Sequence, residues 1–300
     1  MRLAFVTLHY KNIADTLGLL ESLTNCVVPE GDQVRIYVVD NEGNAKLKKE
    51  IKKYPLAKLI VSSANLGFAG GNNIGFRQAI ADEYEIIVAI NNDTYAGKDF
   101  IKQIVDSPIK DEIVGAVGGL IYFAPGYEFK KDYAKKDQGR VIWYAGGQFD
   151  WDNCLGSNDH VDEVDRGQFK KVEPTTFITG ALLITRADVL KKVGLFDEKY
   201  FMYLEDVDLS HRLKRAGYSL LFDPKIKLWH KVAQSSGIGS PLNDYFITRN
   251  RLYFGFKYAR PRTKFALLRE AIRKLFTGTP AQKQAIRDFF SGKLGKGTYL

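Results

Sequence analysis

The chain has 300 residues, 45% hydrophobic and 26% charged, with a net charge of +9; that is enough for one large α/β domain, or a domain with an appendage, without a metal or disulfide to hold the core. The charge is local: Arg249 to Leu300 carries thirteen Lys/Arg against two acids, or +11, leaving −2 on the rest, which excludes a nucleic-acid reader with a basic main face. Cys26 and Cys154 are isolated, as reduced cytosolic thiols are; no signal peptide is visible, and no apolar run reaches the roughly 18 residues of a membrane span.

Leu3 to Leu8 reads as a buried first strand, Thr16 to Leu23 as a helix, and Val34 to Val39 as a second strand stopping at Asp40-Asn41. A lysine-rich helix, 46–54, precedes Pro55, and Leu59-Ile60-Val61 supplies a third strand. Asn72 to Ala81 is expected to be helical, and Tyr84 to Ile90 a fourth strand ending at Asn91-Asn92-Asp93. This alternation predicts a mostly parallel, doubly wound α/β sheet with helices on both faces, which binds ligands beyond the C-terminal strand ends. Residues 125–174, rich in Gly, Asp, Lys and aromatics, read as a long excursion walling one side of a site. A strand over Phe177–Thr185, helices over Ala187–Val193 and Asp206–Ala216, and short strands over Tyr218–Phe222 and Lys227–His230 follow. The division is a body over 1–240 and a helical, basic and aromatic appendage over 241–300.

Four clusters carry candidate chemistry. Asp93 ends a strand, where one carboxylate suffices for a divalent cation whose shell is completed by phosphate oxygens; Asn-Asn-Asp is equally a good turn. Glu205-Asp206-Val207-Asp208 occupies the first turn of a helix, which stabilises ionised carboxylates and suits a general base, although capping alone accounts for acids there. His230 closes a strand ahead of Ser235-Ser236-Gly237, and its imidazole suits a metal or no chemical role at all. Asn65 to Asn73 is glycine-rich but fits neither dinucleotide nor P-loop spacing; it reads as a loop over which backbone approaches a ligand.

Taken together, Val38-Val39-Asp40-Asn41, Asn65 to Asn73, AINNDT at 89–94 and the run from Phe177 to His230 resemble the family 2 glycosyltransferases, in their bacterial rhamnosyltransferase-like, polysaccharide-assembly branch. The likeness covers residues 1–240 and only loosely the tail. It implies a GT-A fold and inverting transfer of a sugar from a nucleotide diphosphate donor to an acceptor hydroxyl. Asp40 would bind the nucleotide base, which suits UDP- or dTDP-sugars, with Tyr10 stacking nearby; Gly70, Gly71, Asn72 and Asn92 would line the donor pocket. Asp93 would hold Mg²⁺ or Mn²⁺ with His230, although Asn91 stands where the family's DxD element has its other acid. Asp206 would be the catalytic base, with Glu205 beside it on the acceptor side.

A sugar nucleotidyltransferase would show a Gly-rich loop after the first strand, where this chain has His9-Tyr10-Lys11-Asn12. A non-catalytic carbohydrate-binding module would not need the acidic pair. The expected partners are a nucleotide-sugar donor and a saccharide or lipid-linked saccharide acceptor, with no nucleic acid. The 249–300 tail reads either as a peripheral contact with the inner face of the cell membrane or as an appendage that packs on the body or forms a homodimer.

Overall fold

The computed structural model describes residues 1–130, 132–232 and 239–299; the stretch Ser235-Ser236-Gly237 lies outside them, as does Leu300 at the end of the tail. In chain order the elements are β1 (Arg2–His9), α1 (Ile13–Thr24), β2 (Gln33–Asp40), α2 (Ala45–Glu50), β3 (Ala57–Val61), α3 (Gly67–Ala81), β4 (Ile86–Ile90), β5 (Thr94–Ala96), α4 (Phe100–Val105) and β6 (Val114–Phe123). The excursion holds β7 (Ile142–Tyr144), the hairpin of β8 (Gly147–Asp150) and β9 (Leu155–Asn158), and β10 (Glu173–Pro174). Then come β11 (Leu182–Arg186), α5 (Ala187–Val193), α6 (Glu205–Arg215), β12 (Ser219–His230), α7 (Pro241–Tyr258), α8 (Pro261–Thr277) and α9 (Pro280–Phe290).

Among the described residues the main sheet runs β10-β12-β6-β11-β4-β1-β2-β3. β1 to β4 are mutually parallel and β12 is parallel to β6, while β11 runs antiparallel to both β4 and β6. β1 to β4, β6 and β12 thus share one direction, as expected, while β5, β7, β10 and β11 run against their neighbours and make the sheet mixed. Alternating side chains divide the core: Leu3, Phe5, Ile36 and Val38 pack with α1 and α4, whereas Ala4, Val6, Tyr37 and Ile87 pack with α3, α5 and α6. Leu252, Phe254, Leu267 and Ile286 of the last three helices join the first of these clusters.

Three elements differ from the sequence reading, each for a physical reason. α3 begins at Gly67, five residues early, so Gly70, Gly71 and Asn72 are helical rather than a loop. The helix's glycines serve packing: a Cβ on Gly71 would collide with Leu8, and one on Gly75 with Val6. β11 begins at Leu182 instead of Phe177, because the N–H groups of Ile178 and Gly180 are taken by the side chains of Ser210 and Asp206 on α6. The two strands read at 218–222 and 227–230 are one strand, β12, whose register slips between Asp223 and Lys227 around Pro224, where a residue without an N–H is tolerated.

Candidate active site

The sheet delivers its polar residues to one edge. β4 ends at Ile90, and the chain turns back through Asn91-Asn92-Asp93 into β5, which pairs antiparallel with the end of β12 so that Thr94 faces His230. Lys231 N–H donates to the Asp93 carbonyl, 2.8 Å, locking the turn to the strand. Asp93 Oδ1 and His230 Nε2 lie 3.0 Å apart, both side chains over nine-tenths buried. The Trp143 ring stands perpendicular to the imidazole with centroids 4.6 Å apart, and His230 Nδ1, though buried, makes no hydrogen bond.

That pair fits a divalent cation. Two neighbouring ligands of an octahedral ion bonded at about 2.1 Å stand about 3 Å apart, and an oxygen with an imidazole nitrogen is a donor set that Mn²⁺ accepts. Two protein ligands leave the remaining positions to other oxygens, and no cluster of three or more His, Cys, Asp or Glu that could hold a metal occurs among the described residues.

Across the cleft, α6 begins at Glu205. Asp206 is half-buried; its Oδ2 accepts from Gly180 N–H at 2.9 Å and its Oδ1 from Val207 N–H at 2.8 Å. Burial raises the Asp206 pKa, and those backbone donors oppose the shift. Glu205 is nearly inaccessible, with Oε2 unpartnered. Burial, then the charges of Asp206 and Asp208, push its carboxyl well above the usual carboxylate range, toward the protonated form. A Cβ at Gly180 would stand 2.9 Å from the Phe68 ring, which would have to shift to make room.

The loop before α6 is unusual: Phe201, Tyr203 and Leu204 all have positive φ, between 65° and 70°. Left-handed backbone at non-glycine residues costs roughly 1–3 kcal/mol each and persists only where surroundings impose it. Here α7 imposes it. Asn250 Nδ2 reaches the carbonyls of Tyr200, Met202 and Tyr203 at 2.8–2.9 Å, while its oxygen accepts from the buried Arg249 guanidinium, which also donates to the Tyr200 carbonyl. The glycine-rich segment supports the same loop from the other side. Ala69 N–H donates to the Phe201 carbonyl, a Cβ on Gly67 would collide with Phe201, and Asn73 bonds both backbone groups of Phe196.

Asn91, Asp93, Trp143, Glu205, Asp206 and His230 line one cleft of about 400 Å³, with Phe68, Gly180 and Tyr203 among its other walls. The excursion does form a wall, through Trp143 and the Leu155–Asn158 strand. The other expected donor residues stand apart from this cavity. Gly70, Gly71 and Asn72 are buried inside α3, so their assignment to a ligand-lining loop is corrected; Asn72 Nδ2 donates to the Phe68 carbonyl. Asp40 is 1% exposed and its carboxylate accepts from the N–H groups of Glu42, Gly43 and Asn44, shaping the turn after β2. Asn92 Nδ2 donates to Thr16 Oγ1 at 3.0 Å. Tyr10 is exposed just past β1, with the Lys11 ammonium over its ring. Trp143, Phe68 and Asn250 are not among the residues the sequence singles out; Asn250 lies in the tail, where the family likeness is loose.

Residues 6–194 match the family model described as Glycosyl transferase family 2. Among curated relatives, the N-acetylglucosaminyl-diphospho-decaprenol L-rhamnosyltransferase of Mycobacterium tuberculosis is 27% identical over 200 residues, 62% of either chain, so the likeness spans less than two thirds of that relative. The dTDP-rhamnosyl transferase RfbF of Shigella flexneri is 25% identical over 75% of this chain and 73% of its own. In fold, GalNAc-T7 crystallised with UDP, GalNAc and Mn²⁺ superposes with a TM-score of 0.60 at 16% identity, over 93% of this chain and 58% of that one. The mannosyltransferase PcManGT from Pyrobaculum calidifontis, with GDP-Man and Mn²⁺, gives 0.57 at 14% identity, over 97% of this chain and 74% of its own.

Proposed function

The chain belongs to glycosyl transferase family 2, among its rhamnosyltransferase-like members and with the GT-A fold, and from that premise we propose that it is an inverting transferase of glycan assembly. It moves a sugar from a UDP- or dTDP-linked donor to a hydroxyl of a saccharide or lipid-linked saccharide. One observation carries this reading: Asp93 and His230 face Asp206 across a single cleft.

In the reaction, Asp206 accepts the proton of the acceptor hydroxyl as that oxygen bonds to the anomeric carbon. The bond from that carbon to the diphosphate oxygen breaks, the electron pair leaving with the nucleoside diphosphate, and the configuration inverts. Mg²⁺ or Mn²⁺ held by Asp93 and His230 would supply positive charge to the departing diphosphate. The Gly180 and Val207 N–H groups fix the Asp206 carboxylate and favour its ionised form. Glu205, biased toward the neutral acid, is suited to donate a hydrogen bond to the acceptor. Phe68, Trp143 and Tyr203 give the cleft aromatic walls. Tyr10, Asn92 and Asp40 belong to the donor's nucleotide side in this reading, Asp40 through the turn it shapes. The chain divides for this task into a catalytic body, 1–240, and a C-terminal appendage, 241–300, that meets the inner face of the cell membrane.

The test follows nucleoside diphosphate release from a panel of UDP-, dTDP- and GDP-sugars with Mn²⁺, comparing the native chain with Asp93→Ala and Asp206→Ala. The reading requires release from a UDP- or dTDP-sugar that both substitutions suppress. Undiminished turnover by both variants would end it.

A further inference from the structure

Helix α8 buries one face and leaves an apolar row on the other. Thr263, Leu267 and Ala271 pack inward. Phe265, Ile272 and Phe276 point outward and are 74%, 50% and 78% exposed; the two phenylalanines are the most exposed large hydrophobic residues described. At 3.6 residues per turn, positions 265, 272 and 276 fall within about 20° of one line, a row roughly 16 Å long. The exposed Arg262, Arg269 and Arg273 flank that row on one side. The single acid of the helix, Glu270, cannot neutralise them: it faces the body, held by Arg251 at 2.9 Å and Lys274 at 2.8 Å.

Large apolar side chains standing in water carry a continuing cost that a covering partner removes. The arginines narrow the choice of partner. A second copy meeting this face about a two-fold axis would set the same three cations against themselves, with no acid on the face to offset them. An anionic surface with an apolar layer beneath answers both features.

We propose that the outer face of α8 is a membrane-docking surface: Phe265, Ile272 and Phe276 enter the acyl boundary of a bilayer while Arg262, Arg269 and Arg273 engage anionic lipid headgroups. This narrows the membrane contact of the functional reading to one helix face and one class of lipid. It also fixes how the enzyme meets a lipid-linked acceptor, with α8 lying flat and its body-facing side toward the catalytic domain. The part of the tail outside α8 is free to pack on the body, as α7 does.

The test compares three full-length chains: native, Phe265→Ser with Phe276→Ser, and Arg269→Glu with Arg273→Glu. All four positions are exposed, so the substitutions leave the core untouched. Each is floated with vesicles of phosphatidylcholine alone and with added phosphatidylglycerol, and each is titrated with UDP and dTDP in the presence of Mn²⁺. The native chain is expected on the anionic vesicles, about tenfold or more weaker on the neutral ones, with each double variant losing about tenfold or more on the anionic vesicles and nucleotide binding unchanged. Absence of native binding, equal binding by the Phe265→Ser/Phe276→Ser chain, or a native dimer that this variant turns monomeric would overturn the proposal. If vesicle binding behaves as expected while neither nucleotide binds, the docking surface stands and the UDP- or dTDP-linked donor reading fails by itself.

Discussion

The two walls of the cleft are built by different means. On the proposed donor side, His230 is set by its place in the β5–β12 ladder, and Asp93 by the turn that the Lys231 N–H ties to that strand. On the proposed acceptor side, Asp206 follows a strained loop whose shape depends on side-chain bonds from Asn250 and Arg249, more than forty residues downstream, and on the glycine-rich start of α3. A backbone ladder tolerates many side chains. A pinned loop depends on a few particular ones, so function on that wall should be lost by substitutions that never touch a substrate.

The largest expected effect separates chemistry from binding. Asp206→Asn keeps the size of the side chain and one of its two backbone acceptor contacts but removes the proton acceptor, so transfer should fall about 10²- to 10⁴-fold with donor affinity, read by calorimetry, unchanged. An equal loss of donor affinity would mean that the walls are not separate.

Next is the pin itself. Asn250→Ala takes this donor from the Met202 and Tyr203 carbonyls, while the Tyr200 carbonyl keeps Arg249, and should cost about 2–4 kcal/mol in urea unfolding. The surviving folded enzyme should lose kcat while KM for the donor holds, because the donor wall keeps its ladder. A purely structural role for Asn250 would lower stability without that split. On the opposite wall, His230→Ala should weaken apparent Mn²⁺ affinity about tenfold to a hundredfold. Excess Mn²⁺ should restore its rate, whereas no metal concentration should restore Asp206→Asn.

The smallest effect concerns pH. Burial holds the folded pKa of Glu205 well above the usual carboxylate range, so ionising it disfavours the folded state: its contribution to stability is present below the unfolded value and is lost as pH rises through the interval up to the folded one. Glu205→Gln removes that loss. Thermal unfolding should show the variant gaining on the native chain as pH rises above about 5, with the difference shrinking toward pH 4. A constant difference across the range would show that Glu205 does not titrate differently in the fold. The rate should meanwhile keep an acid limb displaced upward from that of an ordinary aspartate, because burial of Asp206 is independent of Glu205.

The same contrast explains what could be read from the sequence. Strand-helix alternation and polar residues at strand ends are local patterns, so the sheet, Asp93 and His230 were legible, as was the acidic first turn of α6. The glycine-rich segment misled because Gly70 and Gly71 suggest a ligand loop, while their neighbours are Leu66 and Leu8. The sequence starts β11 five residues early because Phe177-Ile178 continues its apolar run, and nothing local reveals that Ser210 and Asp206 claim the N–H groups of Ile178 and Gly180. Trp143 and Asn250 reach the site through tertiary contacts that leave no periodic mark.

Placing the base opposite the departing diphosphate makes one demand on the product. Proton NMR of the glycoside formed by the native enzyme, compared with its donor, reads the anomeric configuration directly. Attack assisted by Asp206 across the cleft predicts inversion; a product that retains the donor's configuration would contradict it.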